Sequence, residues 1–230
     1  MELLQLEGVN SIEYNDPEAG DLIGLCQRLL KDFPNTYFMV GQVNPFDEDK
    51  FKRLMDLIGS EERLLKTCLV PIQSASNTAL VRMHRPHTQE KLRELLNYAR
   101  EKGVEFTIEI IPGFPGETHE EFLDTYNFLD EISPVAFYTH AFSARPGTEA
   151  ASLPDQISED VIIERMTQYK ELQKKISARF KESLDNKEII IITEKHGPRT
   201  IHNIPVYGSF VGAPHISKRV VHFVKGELVG

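Results

Sequence analysis

Short apolar runs alternate along this chain with longer segments in which apolar positions recur every three or four residues, the pattern of parallel strands with helices between them. The runs predict strands over Gly8–Tyr14, Tyr37–Val43, Leu65–Ile72, Glu105–Ile111 and Val135–Phe142. Between them the spacing predicts helices over Glu18–Asp32, Glu48–Ile58, Gln89–Lys102 and Glu117–Glu131. In the third helix Leu92, Leu95, Leu96 and Ala99 fall on one stripe, while Lys91, Glu94 and Arg100 fall elsewhere. A helix so patterned packs its stripe on a sheet.

The alternation stops after Arg145-Pro146-Gly147-Thr148. A charged helix over Glu159–Leu184 follows, with Ser158 as its expected cap and a Lys and Glu spacing that predicts a largely solvated face. Beyond Asn186 short strands are expected over Glu188–Thr193, Thr200–Tyr207 and Arg219–Val224, between Gly and Pro turns. The expected organisation is therefore an α/β part over residues 1–150, a linker helix over 151–186 and a small β-barrel over 187–230.

The 230 residues are 40% hydrophobic and 27% charged, enough apolar material for a buried core. No run reaches the roughly 18 apolar residues of a membrane span. The N-terminus MELLQLEGVN lacks the basic and apolar regions of a signal peptide, so the expected location is cytoplasmic, with no membrane partner. Cys26 and Cys68 are the only cysteines, which excludes a disulfide framework and a CxxC-type metal site.

The net charge of −9 argues against a general nucleic-acid surface. The C-terminal end is locally basic: Lys187, Lys195, His196, Arg199, His202, His215, Lys218, Arg219, His222 and Lys225 stand against Glu188, Glu194 and Glu227. That balance suits a local phosphate contact, with Tyr207 and Phe210 able either to stack on bases or to serve as core.

In parallel α/β folds ligands bind beyond the C-terminal ends of the strands, and three of the predicted ends carry unusual sequences. Pro71-Ile72-Gln73-Ser74-Ala75-Ser76 can present an amide and two hydroxyls, or Ser76 can simply cap the next helix. Pro112-Gly113-Phe114-Pro115-Gly116-Glu117-Thr118 offers two glycines for close backbone approach, and a helix start with free N–H groups for a carboxylate or phosphate. It is not a Walker loop, because no GK[ST] follows. In Phe142-Ser143-Ala144-Arg145-Pro146-Gly147-Thr148, Arg145 can hold a carboxylate or phosphate by a two-pronged contact.

Together with Leu80-Val81-Arg82-Met83-His84-Arg85-Pro86-His87-Thr88, these segments stand in the order and at about the spacing of the radical S-adenosylmethionine (SAM) methylthiotransferases, and the chain resembles that family over nearly its whole length. The closing stretch, with His202-Asn203 and Lys225-Gly226-Glu227-Leu228-Val229-Gly230, resembles the family's RNA-binding TRAM domain. Ala75 and the His-Asn pair lean toward the archaeal and eukaryotic branch, which acts on threonylcarbamoyladenosine beside the tRNA anticodon.

The resemblance implies an α/β fold: a partial (β/α) radical-SAM-type barrel lacking its first unit, followed by a TRAM-like β-barrel. It implies a transferase that uses SAM and [4Fe–4S] clusters to add a methylthio group to tRNA. Gln73, Ser74 and Ser76 would sit near SAM or the clusters, and Arg85 would be the pocket arginine. Glu109, where Asp is usual, would face the barrel interior; Gly113 and Phe114 would flank the adenine; and Arg145 would lie at the rim on the substrate side. Arg199, His202, Lys218 and Arg219 are the candidate RNA contacts.

The departures are the missing CxxxCxxC triplet, a loose fit of Glu13-Tyr14-Asn15-Asp16 to the second-strand motif, Ala144 in place of Pro and His87 in place of Tyr. Three thiolates are needed to leave the fourth iron open for SAM. Neither cofactor is therefore expected to bind stably to this chain alone. The favoured expectation is a piece of an active enzyme, inactive by itself, whose open barrel edge is covered by a missing N-terminal region or a second chain. The alternative is a noncatalytic paralogue that binds tRNA or a partner.

Overall fold

A computed structural model of the chain describes residues 2–8, 10–194, 197–208 and 216–230. The first parallel ladder pairs β1 (Glu2–Leu6) with β4 (Thr36–Val40). Between them lie a 3-10 turn at Ser11–Glu13, the small hairpin of β2 (Asn15–Asp16) and β3 (Gly20–Asp21), and α1 (Leu22–Asp32). The second ladder joins β5 (Thr67–Gln73), β6 (Glu105–Ile110) and β7 (Ala136–Thr139), again parallel. Isolated parallel bridges Phe38↔Leu64 and Gln42↔Leu69 connect the two ladders, so five strands follow one another in chain order. The intervening helices are α2 (Glu48–Ser60), α3 (Asn77–Arg82), α4 (Gln89–Glu101) and α5 (His119–Ile132).

The expected first strand over Gly8–Tyr14 is corrected: the strand is Glu2–Leu6, and the later segment turns instead. Tyr14 N–H donates to the Ser11 carbonyl at 3.0 Å, which closes the 3-10 turn and buries Ile12 as a single apolar plug. The helix at Asn77–Arg82 has too little apolar repeat to stand out in the sequence.

On α4, Leu92, Leu95, Leu96 and Ala99 are all fully buried, as the stripe predicts. Each such leucine contributes roughly 2 kcal/mol over leaving it exposed. Along β6 burial alternates: Phe106, Ile108 and Ile110 face the helices, while Glu105, Thr107 and Glu109 are only partly covered on the inner side.

After α6 (Glu149–Ser152) comes α7 (Glu159–Ser183), which buries Arg165, Tyr169, Leu172 and Ile176. Tyr169, Leu172 and Ile176 belong to the main core, with Tyr169 edge-on to Phe122 and Phe137, so α7 is the helix that covers β7. Ser158 occupies the N-cap position of α7, but its side chain makes no capping hydrogen bond.

The antiparallel half-barrel that follows has the order β11-β10-β8-β9, from β8 (Lys187–Glu194), β9 (Gly197–Thr200), β10 (Ile216–Val224) and β11 (Glu227–Val229). The expected strand over Thr200–Tyr207 is also corrected. It ends at Thr200, because Asn203 adopts φ 64° and the Thr200 hydroxyl accepts from the His202 and Ile204 amides, making a tight turn. This sheet docks on the N-terminal ends of the parallel strands. Lys66 N–H donates to the Ile201 carbonyl at 3.1 Å, and Val135 joins Leu184, Ile191, Val206, Val221 and Leu228 in one cluster. Among the described residues no helix is long and apolar enough to cross a membrane.

Candidate functional site at the strand C-terminal ends

The loops that leave β1, β4, β5, β6 and β7 converge at the end of the sheet opposite the half-barrel. Glu7, Gly8, Gln42, Leu69 and Glu109 line a cavity of about 420 Å³ there. Gln42 donates its amide to Glu109 Oε2 at 2.7 Å, and His140 Nε2 stands 3.6 Å from Glu109 Oε1. Glu109 therefore enters the inner cavity with one oxygen engaged and the other toward an exposed imidazole. Gln42 and His140 escape a motif reading; each simply follows the last residues of a strand.

Gln73 ends β5 at a register shift and carries φ 68°, a conformation that costs a non-glycine residue of the order of 1 kcal/mol. Its side-chain oxygen is buried with no hydrogen-bond partner. Ser74 and Ser76 lie beside it, but their hydroxyls turn inward. Ser74 Oγ lies 3.1 Å from Thr125 Oγ1 and accepts from Ser76 N–H, and Ser76 Oγ lies 3.2 Å from Thr78 Oγ1. Ser76 occupies the N-cap position of α3 without a capping bond.

Arg85 is half-buried with its guanidinium over the Phe46 ring at 5.5 Å, and His87 stacks on the same ring at 5.6 Å. Burial holds the Arg85 pKa below its usual range. Burial likewise depresses His87 to about 4, with Arg85 adding to the effect against the Ile72 carbonyl.

The expectation of free N–H groups at the start of α5 is corrected. Thr118 Oγ1 accepts from Glu121 N–H at 3.2 Å while Glu121 Oε2 accepts from Thr118 N–H at 3.0 Å, a closed capping box. Glu117 N–H donates to the Phe114 carbonyl and Gly116 N–H to the Asp155 carbonyl. Gly113 N–H donates to Glu117 Oε2 at 2.7 Å. The Glu121 carboxylate thus occupies this terminus and the Glu117 carboxylate the loop amide before it, and a further anion would meet their repulsion. Gly113 has φ 82°, and what approaches it is Ile162 of α7.

What the loop leaves outward is aromatic. Phe114 meets Phe142 edge-on at 5.3 Å, and Phe142 N–H donates to the Pro112 carbonyl at 2.9 Å, joining the loops after β6 and β7. Arg145 is exposed at the rim; its carbonyl accepts from the Thr148 amide and hydroxyl, and its side chain extends outward.

The four candidate RNA contacts do not share one environment. Arg199 donates to the Asn203 carbonyl at 3.2 Å and to its side chain, so it braces the turn. His202 lies under the edge of Phe180 at 5.6 Å, in the joint between half-barrel and α/β body. Burial lowers its pKa to about 4, with Lys187 and Lys66 acting in the same direction. Lys218 and Arg219 are consecutive on β10, paired with Ile190 and Ile189, so their side chains leave opposite faces of the sheet, with Lys218 exposed. Lys195, His196, Phe210 and His215 lie outside the described residues.

Neither cysteine suits iron. Cys68 is buried in β5 and Cys26 in α1; burial raises Cys68 to about 12 and Cys26 to about 11, with Asp21 adding to the latter. A thiolate ligand needs the opposite shift. Among the described residues no group of His, Cys, Asp or Glu could hold a metal ion. The donor set of this chain does not fit a [4Fe–4S] cluster.

The sequence profile of the Radical SAM superfamily matches residues 11–129, more than half of the chain. The chain belongs to the radical SAM superfamily. Its sequence relatives place it with the methylthiotransferases of that superfamily. It is 36% identical over 163 residues to the tRNA-2-methylthio-N(6)-dimethylallyladenosine synthase of Fusobacterium nucleatum, a match covering 70% of this chain and 37% of that protein. It is 34% identical over 144 residues to the threonylcarbamoyladenosine tRNA methylthiotransferase MtaB of Bacillus subtilis, covering 62% of this chain and 32% of that protein. The matches thus span less than half the length of these curated relatives.

Among solved structures, coproporphyrinogen III oxidase from Escherichia coli, a radical SAM enzyme, superposes with a TM-score of 0.54 at 18% identity, over 77% of this chain and 44% of that one. At that identity the likeness concerns the fold alone.

Proposed function

We propose that this chain is the SAM-side and RNA-side part of a tRNA methylthiotransferase acting on a modified adenosine near the anticodon, with threonylcarbamoyladenosine as the favoured nucleoside. What carries the reading is that the motif-bearing loops after β5, β6 and β7 leave the same end of a parallel sheet, the end at which Glu109, bonded to Gln42, lines a cavity. The loop after β6 suits an adenosyl group without phosphates. Its Gly113 amide is already taken by Glu117 and the following helix start is capped by Glu121, while Phe114 offers a flat apolar face. Glu109 and the orphaned Gln73 oxygen are acceptors for hydroxyl or ammonium protons, and Arg85 and Arg145 are the cations available to a carboxylate or phosphate.

Radical generation is not assigned to these residues, because they supply no thiolate triad; on this reading the chain alone is inactive. Lys218 and Arg219 are assigned to phosphate contact in a TRAM-like sheet. After anaerobic reconstitution the purified chain is expected to show no iron–sulfur absorbance and to retain tRNA with an affinity that falls steeply with salt. Reversing both charges (K218E and R219E) should lower the salt slope by about 2. A stable cluster at stoichiometric iron, or tRNA retention indifferent to both reversals, would remove the corresponding half of the proposal.

A further inference from the structure

Glu117 and Arg165 are 4% and 6% exposed, and form an ion pair buried between the loop after β6 and the helix α7. One carboxylate oxygen, Glu117 Oε2, accepts both the Gly113 N–H at 2.7 Å and the Arg165 guanidinium at 2.5 Å. The second prong of that guanidinium donates to the Glu117 backbone carbonyl at 3.1 Å, and its plane lies over the Phe122 ring at 5.6 Å. One turn earlier on α7, Ile162 closes on Gly113 so tightly that a Cβ there would come within 2.6 Å of it. The helix therefore grips the loop at two points. Burial raises the Glu117 pKa, Arg165 and the Gly113 amide act against that rise, and no residue of the loop itself supplies a cation.

We infer that Arg165 is a positioning residue: through Glu117 it fixes the backbone of Gly113 and Phe114 in the one arrangement that leaves the Phe114 ring and the Gly113 carbonyl, rather than the Gly113 N–H, for a ligand. Arg165 touches no ligand itself. The inference deepens the adenosyl reading of this loop and rests on it for the ligand's identity, but not for the clamp.

The test uses the intact chain and the variants Arg165→Lys, Arg165→Met and, as a control elsewhere on α7, Ile176→Val, which shortens a buried side chain of the same helix without reaching the loop. Hydrogen exchange of the Gly113 amide is followed by NMR, thermal midpoints are recorded, and SAM itself is offered in equilibrium dialysis. Arg165→Lys keeps the charge but loses the fork. It is expected to speed Gly113 exchange by about 10- to 100-fold, the range for losing a charge-assisted contact, with Arg165→Met at least as large.

Ile176→Val is expected to lower the midpoint without changing that amide. Unchanged Gly113 exchange in both Arg165 variants, or an equal acceleration in Ile176→Val, overturns the inference. If the wild-type chain binds SAM, Arg165→Lys should weaken it about tenfold at a midpoint matched by the control. Binding that merely tracks the midpoint across the set would reduce Arg165 to a structural residue. If the wild-type chain binds no SAM, the outcome expected of a chain that cannot hold the cluster, the exchange data alone decide the clamp.

Discussion

Lowering the pH from about 7 to about 5 should loosen the joint between the half-barrel and the α/β body, with His202 as one of the groups responsible. Its ring lies edge-on to Phe180 and its Nδ1 is buried without a partner. Burial, reinforced by Lys187 and Lys66, depresses its pKa from 6.5 to about 4. A histidine depressed in the fold takes up its proton first in the unfolded chain. Its share of stability is therefore intact above 6.5 and is lost as the pH falls toward 4. Between pH 7 and pH 5 the loss is ~2 kcal/mol, because the unfolded ring is mostly charged at the lower pH and the folded ring is not. For a chain of this size that corresponds to about 4–8 °C in Tm.

His87, depressed to about 4 chiefly by burial against Phe46, contributes a comparable share at the far end of the sheet. The carboxylates of Glu48 and Glu121 titrate near 2 and are silent in this window. The assay is thermal melting by circular dichroism at the two pH values for wild type and His202→Phe, which keeps an aromatic ring against Phe180. The variant should lose about half of the acid shift that the two histidines cause together. An undiminished shift in the variant would refute the buried-neutral account of His202.

Three further outcomes follow from the packing. Leu95→Ala, at a fully buried position on α4, should cost 2–5 kcal/mol by chemical denaturation, and a loss below about 1 kcal/mol would mean that the site collapses around the smaller residue. Thr118→Ala opens the capping box of α5 and should cost about 1 kcal/mol, read as a fall in midpoint with an unchanged denaturant slope. Cys26 and Cys68 should both resist a thiol reagent in the native chain at neutral pH and both react in denaturant; rapid native labelling of either would contradict its burial and raised pKa.

The helices α2, α4 and α5 and the strands β4 to β7 were legible because each carries one unbroken apolar stripe or run that decides its own burial. The first strand was not, since Glu2–Leu6 and Gly8–Tyr14 are both weakly apolar and only pairing with Thr36–Val40 distinguishes them. The split at Thr200 turns on a single asparagine in the left-handed region, which Asn203 allows but does not announce. At the candidate site, the loop carrying Gly113 and Phe114 stood out by its glycines and prolines, while Glu109 was named only through the family resemblance. The role of Glu117 could not, because its partner Arg165 lies 48 positions away in a helix whose charges read as solvated. The hydroxyls of Ser74 and Ser76 read as ligand groups for the converse reason: the sequence does not show that Thr125, from α5, reaches the first and Thr78, from α3, the second.

The polarity of the parallel sheet separates the cavity at one end from the half-barrel at the other. The cavity with Gln42 and Glu109 opens beyond the strand C-termini, while the half-barrel docks at the N-termini through Lys66, Val135 and Phe180. The helix α7 spans the interval, touching Gly113 near its start and the half-barrel near its end. Its 25 residues reach roughly 37 Å at 1.5 Å per residue. On the proposed function, an RNA held by Lys218 and Arg219 would present to the cavity a nucleotide some distance along its length from the anchored phosphates. On the proposed function, these cations govern how tightly the RNA is retained, and the cavity residues govern which base is accepted. Reversing Lys218 and Arg219 should then weaken tRNA with and without the modified adenosine by the same factor, whereas altering Glu109 should change the ratio between them.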